Sequence, residues 1–173
     1  MRRVRYQVAV SLDGYIADAG GGTDWIVEES GIDFKALFDQ FDTLLMGRRT
    51  YEDALKRGSE GFWGKKAIVF SRTLEAADHP GVEVVSTGAG ARVQQLRAES
   101  GKDIWLFGGG ELLRALLAEN CVDTIEPAIV PVLVGGGTPF LATPAALTRL
   151  SLTSHRVFPS GIVWLEYAVQ PKP

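Results

Sequence analysis

Ile104-Trp105-Leu106-Phe107-Gly108-Gly109-Gly110-Glu111-Leu112 reads as a short apolar strand that turns through three glycines into a helix, Glu111 to Ala118. The same pattern occurs earlier: Thr43 to Met46 is apolar, Gly47 turns the chain, and Arg48 to Lys56 continues at helical spacing. Working outward, Val4 to Val10 alternates as a strand and Ser11-Leu12-Asp13-Gly14 ends it. Ala19 to Gly22 makes a flexible loop, and Phe34, Leu37, Phe38 and Phe41 predict a helix from Asp33 to Phe41. Ala67 to Phe70 and Val82 to Val85 read as strands, and Arg92 to Glu99 as a helix stopped by Gly101. Val122 to Val134 reads as one long strand, bulged or at an edge because of Pro127 and Pro131. Ser151 to Val157 and Ile162 to Val169 form a hairpin across Pro159-Ser160-Gly161. The order of strands and helices predicts an α/β fold. Its sheet is mixed and mostly parallel, with helices on both faces and an antiparallel C-terminal hairpin.

The 173 residues suit a single domain, 1–173, and 46% hydrophobic with 23% charged residues excludes disorder, collagen and coiled coil. Apolar runs such as Ile125 to Val134 are too short to span a bilayer and contain prolines, so no membrane partner is expected. The basic start Met1-Arg2-Arg3 meets Asp13 too soon for a signal-peptide core, which makes a cytoplasmic location the expectation. A formal net charge of −3 without a long basic run argues against nucleic acid as a partner. Arg2, Arg3 and Arg5 read as a solvated strand end. The one cysteine, Cys121, excludes an intramolecular disulfide and a cysteine-based zinc site, and reads as a small packed side chain. His79 and His155 are far apart, so no metal is expected, and no Gly-x-Ser-x-Gly elbow is present.

Ligands of such sheets bind beyond the carboxyl ends of the strands. Four places therefore matter: Ser11 to Gly14, Gly47 to Thr50, Ser71-Arg72 and Gly108 to Glu111. The triple glycine lets a phosphate approach free N–H groups at a helix start, though a tight turn alone would also use it. Glu111 must face away if a phosphate binds there. Arg48 and Arg49 sit where cations oppose the helix dipole, a conflict that an anionic ligand resolves; pairing with Glu52 or Asp53 is the alternative. Ser71 and Arg72 add a hydroxyl and a further guanidinium. Together these suggest a ligand with more than one phosphate, such as a dinucleotide. The Rossmann glycine spacing and its ribose-binding acid are both missing, which favours a 2′-phosphorylated dinucleotide over NAD.

Val8-Ala9-Val10-Ser11-Leu12-Asp13-Gly14-Tyr15-Ile16-Ala17, Thr23-Asp24-Trp25-Ile26, Leu45-Met46-Gly47-Arg48-Arg49-Thr50-Tyr51-Glu52, Val69-Phe70-Ser71-Arg72 and Leu106-Phe107-Gly108-Gly109-Gly110-Glu111-Leu112 carry a resemblance along nearly the whole chain. In their order and spacing the sequence resembles the dihydrofolate reductase-like superfamily. The subgroup is the one that includes the reductase domain of the bifunctional riboflavin-biosynthesis deaminase–reductase. The resemblance implies that fold, an NADPH cofactor, a small-molecule substrate and a homodimer. It implies that Gly47, Arg48, Arg49 and Thr50 contact the cofactor's phosphates, and that Ser71 and Arg72 hold its 2′-phosphoadenosine end. Gly108, Gly109, Gly110, Glu111 and Leu112 would take the pyrophosphate, and Ala9 and Val10 would meet the nicotinamide through backbone. Trp25 would lie over the cofactor, or else cap the core, and Thr23 would stand beside the substrate. Asp33 is implied as the carboxyl that assists protonation, a position that also suits a helix N-cap; Asp13 is a second carboxyl, better read as a turn residue.

Two features depart from the riboflavin-pathway pattern. Phe107 stands where those reductases carry a glutamate facing the substrate, and the zinc-binding deaminase half is absent. The expectation is an NADPH-dependent reductase acting on a C=N or C=O bond of a small heterocycle, a pyrimidine or a pterin, in a more apolar pocket. A non-catalytic nucleotide-binding module is the alternative, and an interaction role through Val130 to Val134 and Ile162 to Val169 a third. Gly135-Gly136-Gly137-Thr138 either closes over a ligand or forms a loop tip.

Overall fold

The computed structural model describes residues 1–59 and 61–170. Strands are β1 (Val4–Ser11), β2 (Tyr15–Ala17), β3 (Phe41–Gly47), β4 (Lys66–Phe70), β5 (Glu83–Val85), β6 (Asp103–Gly108), β7 (Thr124–Val130), β8 (Thr138–Pro139), β9 (Leu150–Val157) and β10 (Val163–Val169). Helices are α1 (Phe34–Phe38), α2 (Arg48–Lys56), α3 (Ala89–Ala98) and α4 (Gly110–Ala118). Eight strands form one sheet in the order β5-β4-β3-β6-β1-β7-β10-β9, and β2 pairs with β8 in a small second sheet. β5 through β7 run parallel, and β10 and β9 close the edge antiparallel.

Alternation along the strands sends side chains to two cores. On one face Val4 and Tyr6 of β1 pack with Leu45, Ile68, Ile104 and Leu106 against Val93 and Leu96 of α3 and Leu113 and Leu116 of α4. On the other, Leu44, Met46, Val69 and Trp105 pack against Tyr51 and Ala54 of α2. Helices thus cover both faces. A smaller cluster of Val130, Phe158 and Ile162, joined by Ala9, Trp25, Ala128 and Trp164, lies toward the β7–β10 side.

Four expectations are corrected. Arg2 and Arg5 are no solvated strand end, since each is only 7% exposed. Arg5 makes a bidentate pair with Glu126 (2.7 Å from Nε and from a terminal nitrogen), and Arg2 pairs with Asp42 and Thr43; only Arg3 is at the surface, on Asp103. Burial works to lower the Arg5 pKa, but its bond to Glu126 and the nearby acids outweigh this and hold it above its ordinary value. The Val122–Val134 strand is shorter and central rather than at an edge. β7 ends before Pro131 and lies between β1 and β10. Pro127 is accommodated because the β10 ladder pairs Ile129, Ala128, Ile125 and Thr124 and skips Glu126 and Pro127, where an N–H is missing. The Asp33 helix keeps only Phe34–Phe38, because Phe41 is drawn into the core as the first residue of β3. Finally, Val130 is fully buried and β10 is an inner strand, so the apolar residues facing outward at the sheet edge are those of β9. The predicted domain extends to Pro173, but residues 171–173 lie outside the described residues.

Candidate functional site

The carboxyl ends of β4, β3, β6, β1 and β7 stand side by side, because the sheet order makes them neighbours. Gly47 pairs with Phe70, and Met46 with Gly108, so the turns after β3, β4 and β6 share one rim. α2 and α4 start on this rim from glycines, Gly47 and Gly109, and neither has a side-chain cap. The first-turn N–H groups of a helix have no internal acceptor, and the dipole leaves that end positive. Two positive helix ends therefore sit side by side. A Cβ at Gly108 would come within 3.1 Å of Thr50 Oγ1, which presses α2 and the glycine turn together.

The rim residues divide by what they already bind. Arg48 pairs with Glu52 at 3.1 Å, the alternative that sequence spacing left open. Arg49 and Arg72 are exposed and meet no carboxylate among the described residues. Ser71 is buried, its Oγ accepting N–H bonds from Thr73 (3.2 Å) and Leu74 (3.1 Å), which shapes the turn that presents Arg72. The three glycines have different reasons. Gly110 is required by packing, since a Cβ there would lie 2.6 Å from the Pro139 carbonyl oxygen. Glu111 is exposed, as a phosphate on the turn demands. The Leu112 side chain lies in the core, so it can offer a ligand only its backbone N–H.

Around the β1 end, Ala9 is half-buried and Val10 buried. Trp25, like Ala9 and Ala128, packs on Val130, Phe158 and Ile162 in the smaller cluster. Its loop is tied down on both sides. Thr23 Oγ1 accepts from Arg57 (2.9 Å), while the Glu29 carboxylate accepts from Gly31 N (2.7 Å) and Ser160 N (3.1 Å). Asp13 takes the Ser11 hydroxyl (2.6 Å) and the N–H groups of Val134 (3.0 Å) and Gly135 (2.7 Å). These bonds, the Ser11 hydroxyl first, lower its pKa to about 2, so at neutral pH it is a loop clamp and no proton donor. The 135–137 segment is thereby pinned to the β1 turn, and β8 just beyond it pairs with β2.

Asp33 is exposed at the N-cap of α1, where Oδ1 accepts from Ala36 N at 2.9 Å. Phe107 is half-buried in an aromatic wall, edge-on to Trp105 (5.0 Å) and to Trp63 (5.8 Å). Phe38 of α1 packs on both tryptophans (5.4 and 5.3 Å). The sequence reading missed this wall, Arg57 and Gln7. Arg57 caps the end of α2 and Trp63 lies in a single 3-10 turn, Phe62–Gly64, too short for any periodicity to mark it, whereas Gln7 was detectable as a polar residue inside a strand flanked by Tyr6 and Val8. A cleft of about 280 Å³ between α4 and Pro144–Thr148 has Arg114 as its one charged side chain and lacks the convergent donors of the rim. Among the described residues no helix is long and apolar enough to cross a membrane, and no group of three His, Cys, Asp or Glu could hold a metal ion.

Comparison with known proteins places this geometry. The chain is 30% identical to the uncharacterized protein YyaP of Bacillus subtilis (strain 168), over 96% of this chain and 94% of that one. A crystal structure of a candidate riboflavin biosynthesis protein from Shewanella sp. PV-4 superposes with a TM-score of 0.82 at 26% identity, covering 99% of this chain and 100% of that one. Dihydrofolate reductase from Enterococcus faecalis, complexed with NADP(H) and RAB-propyl, shares the fold at a TM-score of 0.70 and 17% identity, over 98% of this chain and 97% of that one. The family model for the RibD C-terminal domain matches residues 2–164. With a reductase-type sheet, paired uncapped helix ends on its rim and a match over nearly its whole length, the chain belongs to the RibD C-terminal domain family and carries a dihydrofolate reductase-like fold.

Proposed function

We propose that the chain is an NADPH-dependent reductase of a small heterocycle, of the pyrimidine or pterin kind, acting on a C=N or related C=O bond. The observation that carries this reading is the meeting of two uncapped helix N-termini at Gly47 and Gly109, flanked by Arg49 and Arg72, which meet no carboxylate among the described residues. Such donors fit a ligand with several phosphates. In this reading the first-turn N–H groups of α4 hold the pyrophosphate, with Thr50 and Arg49 beside it. Arg72, on the turn shaped by Ser71, meets the 2′-phosphate. Arg48 joins by exchanging Glu52, an exposed and weak partner. Ala9 and Val10 offer backbone to the nicotinamide, Trp25 covers it, and the cofactor supplies the hydride. Thr23 and the Phe107 wall border the substrate.

Proton supply supports a second reading. Asp13 is held ionised as a loop clamp, and the Asp33 side chain caps α1 at the surface. A nucleotide-binding module without turnover is consistent with this, as is a reductase that draws its proton from solvent.

Tryptophan-fluorescence titrations with NADPH and NADH test the proposal. Micromolar NADPH binding is expected, with NADH weaker by about tenfold or more, in keeping with the loss of a charge-assisted contact. Binding of neither dinucleotide would remove the reductase reading and the nucleotide-module reading together.

A further inference from the structure

Gln7 lies on β1, on the same face as Arg5 and Ala9, and is 5% exposed. Its Nε2 donates to Glu126 Oε2 at 3.1 Å. The Glu126 carboxylate also accepts both Arg5 nitrogens (2.7 Å each) and the Thr124 hydroxyl (2.6 Å). A carboxylate so placed can only accept, so the Gln7 amide cannot flip and Oε1 must point away from Glu126. Among the described residues Oε1 has no hydrogen-bond partner, although it is fully covered. Trp25 Nε1 is the same: covered, and without an acceptor. Trp25 belongs to the same small cluster as Ala9 and Ala128, packed with them on Val130, Phe158 and Ile162, and Ala9 and Ala128 are the next residues on the same face after Gln7 and Glu126. Two residues along a strand is about 7 Å, the width of a small ring. A buried polar atom left unpaired is costly, and a ligand that offers both a donor and an acceptor would satisfy these two atoms of opposite polarity together.

We propose that Gln7 Oε1 is the acceptor that selects the substrate, and that Trp25 Nε1 is the matching donor. The Arg5–Glu126 pair acts as the positioning device that holds the Gln7 amide in one orientation. The ligand they fit is a neutral planar ring with an N–H beside a carbonyl, a lactam edge. An anion is disfavoured, because Oε1 offers it only a lone pair. The inference rests on the reductase reading, naming the substrate edge read at that site. Because both atoms are covered here, the Asp24–Glu28 segment that carries Trp25 must lift to admit the ring. Its anchors at Thr23 and Glu29 leave that segment between them, with Ile26 and Val27 exposed.

The test uses uracil and 1,3-dimethyluracil, whose ring N–H groups are blocked, at millimolar concentration, read by saturation-transfer NMR with and without saturating NADPH. Uracil is expected to receive saturation, and dimethyluracil to bind about tenfold more weakly or not at all. Gln7→Met should weaken uracil by about tenfold or more, circular dichroism verifying that it is folded; Trp25→Phe, which keeps the ring stack and loses the N–H, should weaken it severalfold. Equal binding of both probes, full uracil binding by either variant, or no uracil binding by the wild-type protein would overturn the inference. The two readings separate cleanly. Failure of NADPH to bind strikes the reductase assignment, while Gln7-dependent uracil binding without NADPH would still support the acceptor.

Discussion

Asp33, Asp13 and Arg72 are three exposed charged residues of the candidate site with three different fates. Asp33 caps α1. Asp33→Ala should therefore cost about 0.5–2 kcal/mol in urea unfolding, and Asp33→Asn, which still caps, much less. If Asp33 is a cap alone, Asp33→Asn also leaves turnover unchanged once a substrate is found; a fall of orders of magnitude would restore it as the acid. Asp13 has its pKa lowered from 3.8 to about 2. A depressed carboxyl contributes stability above its unfolded pKa and loses it as pH falls through the folded one. Hydrogen exchange at Val134 and Gly135 should thus stay protected at pH 5 and open toward pH 2; in Asp13→Ala the protection should already be missing at pH 5. Arg72 has no carboxylate partner among the described residues, so Arg72→Ala should leave stability within about 0.5 kcal/mol. It should weaken NADPH by about tenfold or more and NADH little. At this scale the sequence showed the position of Arg48 and Arg49 at the start of a helix. It misled on Arg2 and Arg5, because the acids that bury them, Asp42 and Glu126, are remote in sequence.

Elements with a strong period were legible from the sequence, and those fixed by contact were not. α2 runs from Arg48 to Lys56 as its spacing requires, and β1 ends one residue beyond its predicted end. β2 and β8 are too short to show alternation, and they exist because Asp13 and the chain after Gly137 bring them together. The triple glycine was legible as a turn, yet only the fold shows that the lack of a side chain at Gly110 answers to packing against Pro139. Gly110→Ala should accordingly destabilise by about 1–3 kcal/mol in urea unfolding, through overpacking against the 139–142 segment. Gly109 has more room, its nearest atom being Thr50 Oγ1 at 3.5 Å from a built Cβ, so Gly109→Ala should affect dinucleotide binding more than stability.

The whole molecule is organised by its strand order, which places β6 between β3 and β1 and so gathers turns from residues 11, 47, 71 and 108 onto one rim. Composition and periodicity indicated a mostly parallel sheet, but neighbour order depends on long-range pairing that a single sequence does not display. The homodimer implied by the family resemblance belongs to this scale and stays a proposal. Its support is β9, exposed along its length with Leu152 at 53% and Val157 at 66% exposure on an open sheet edge. Sedimentation at micromolar concentration should give twice the 18.7 kDa chain mass, and Leu152→Lys should shift it toward monomer. The claim on which the rest depends is that the rim is a single dinucleotide site. Amide chemical-shift mapping during an NADPH titration tests it directly. The account predicts concerted shifts at 47–50, 71–73 and 108–112, with the 71–73 set much weaker when NADH replaces NADPH. Shifts confined to the cleft of Arg114 and Thr148, or none on the rim at saturating NADPH, would contradict it.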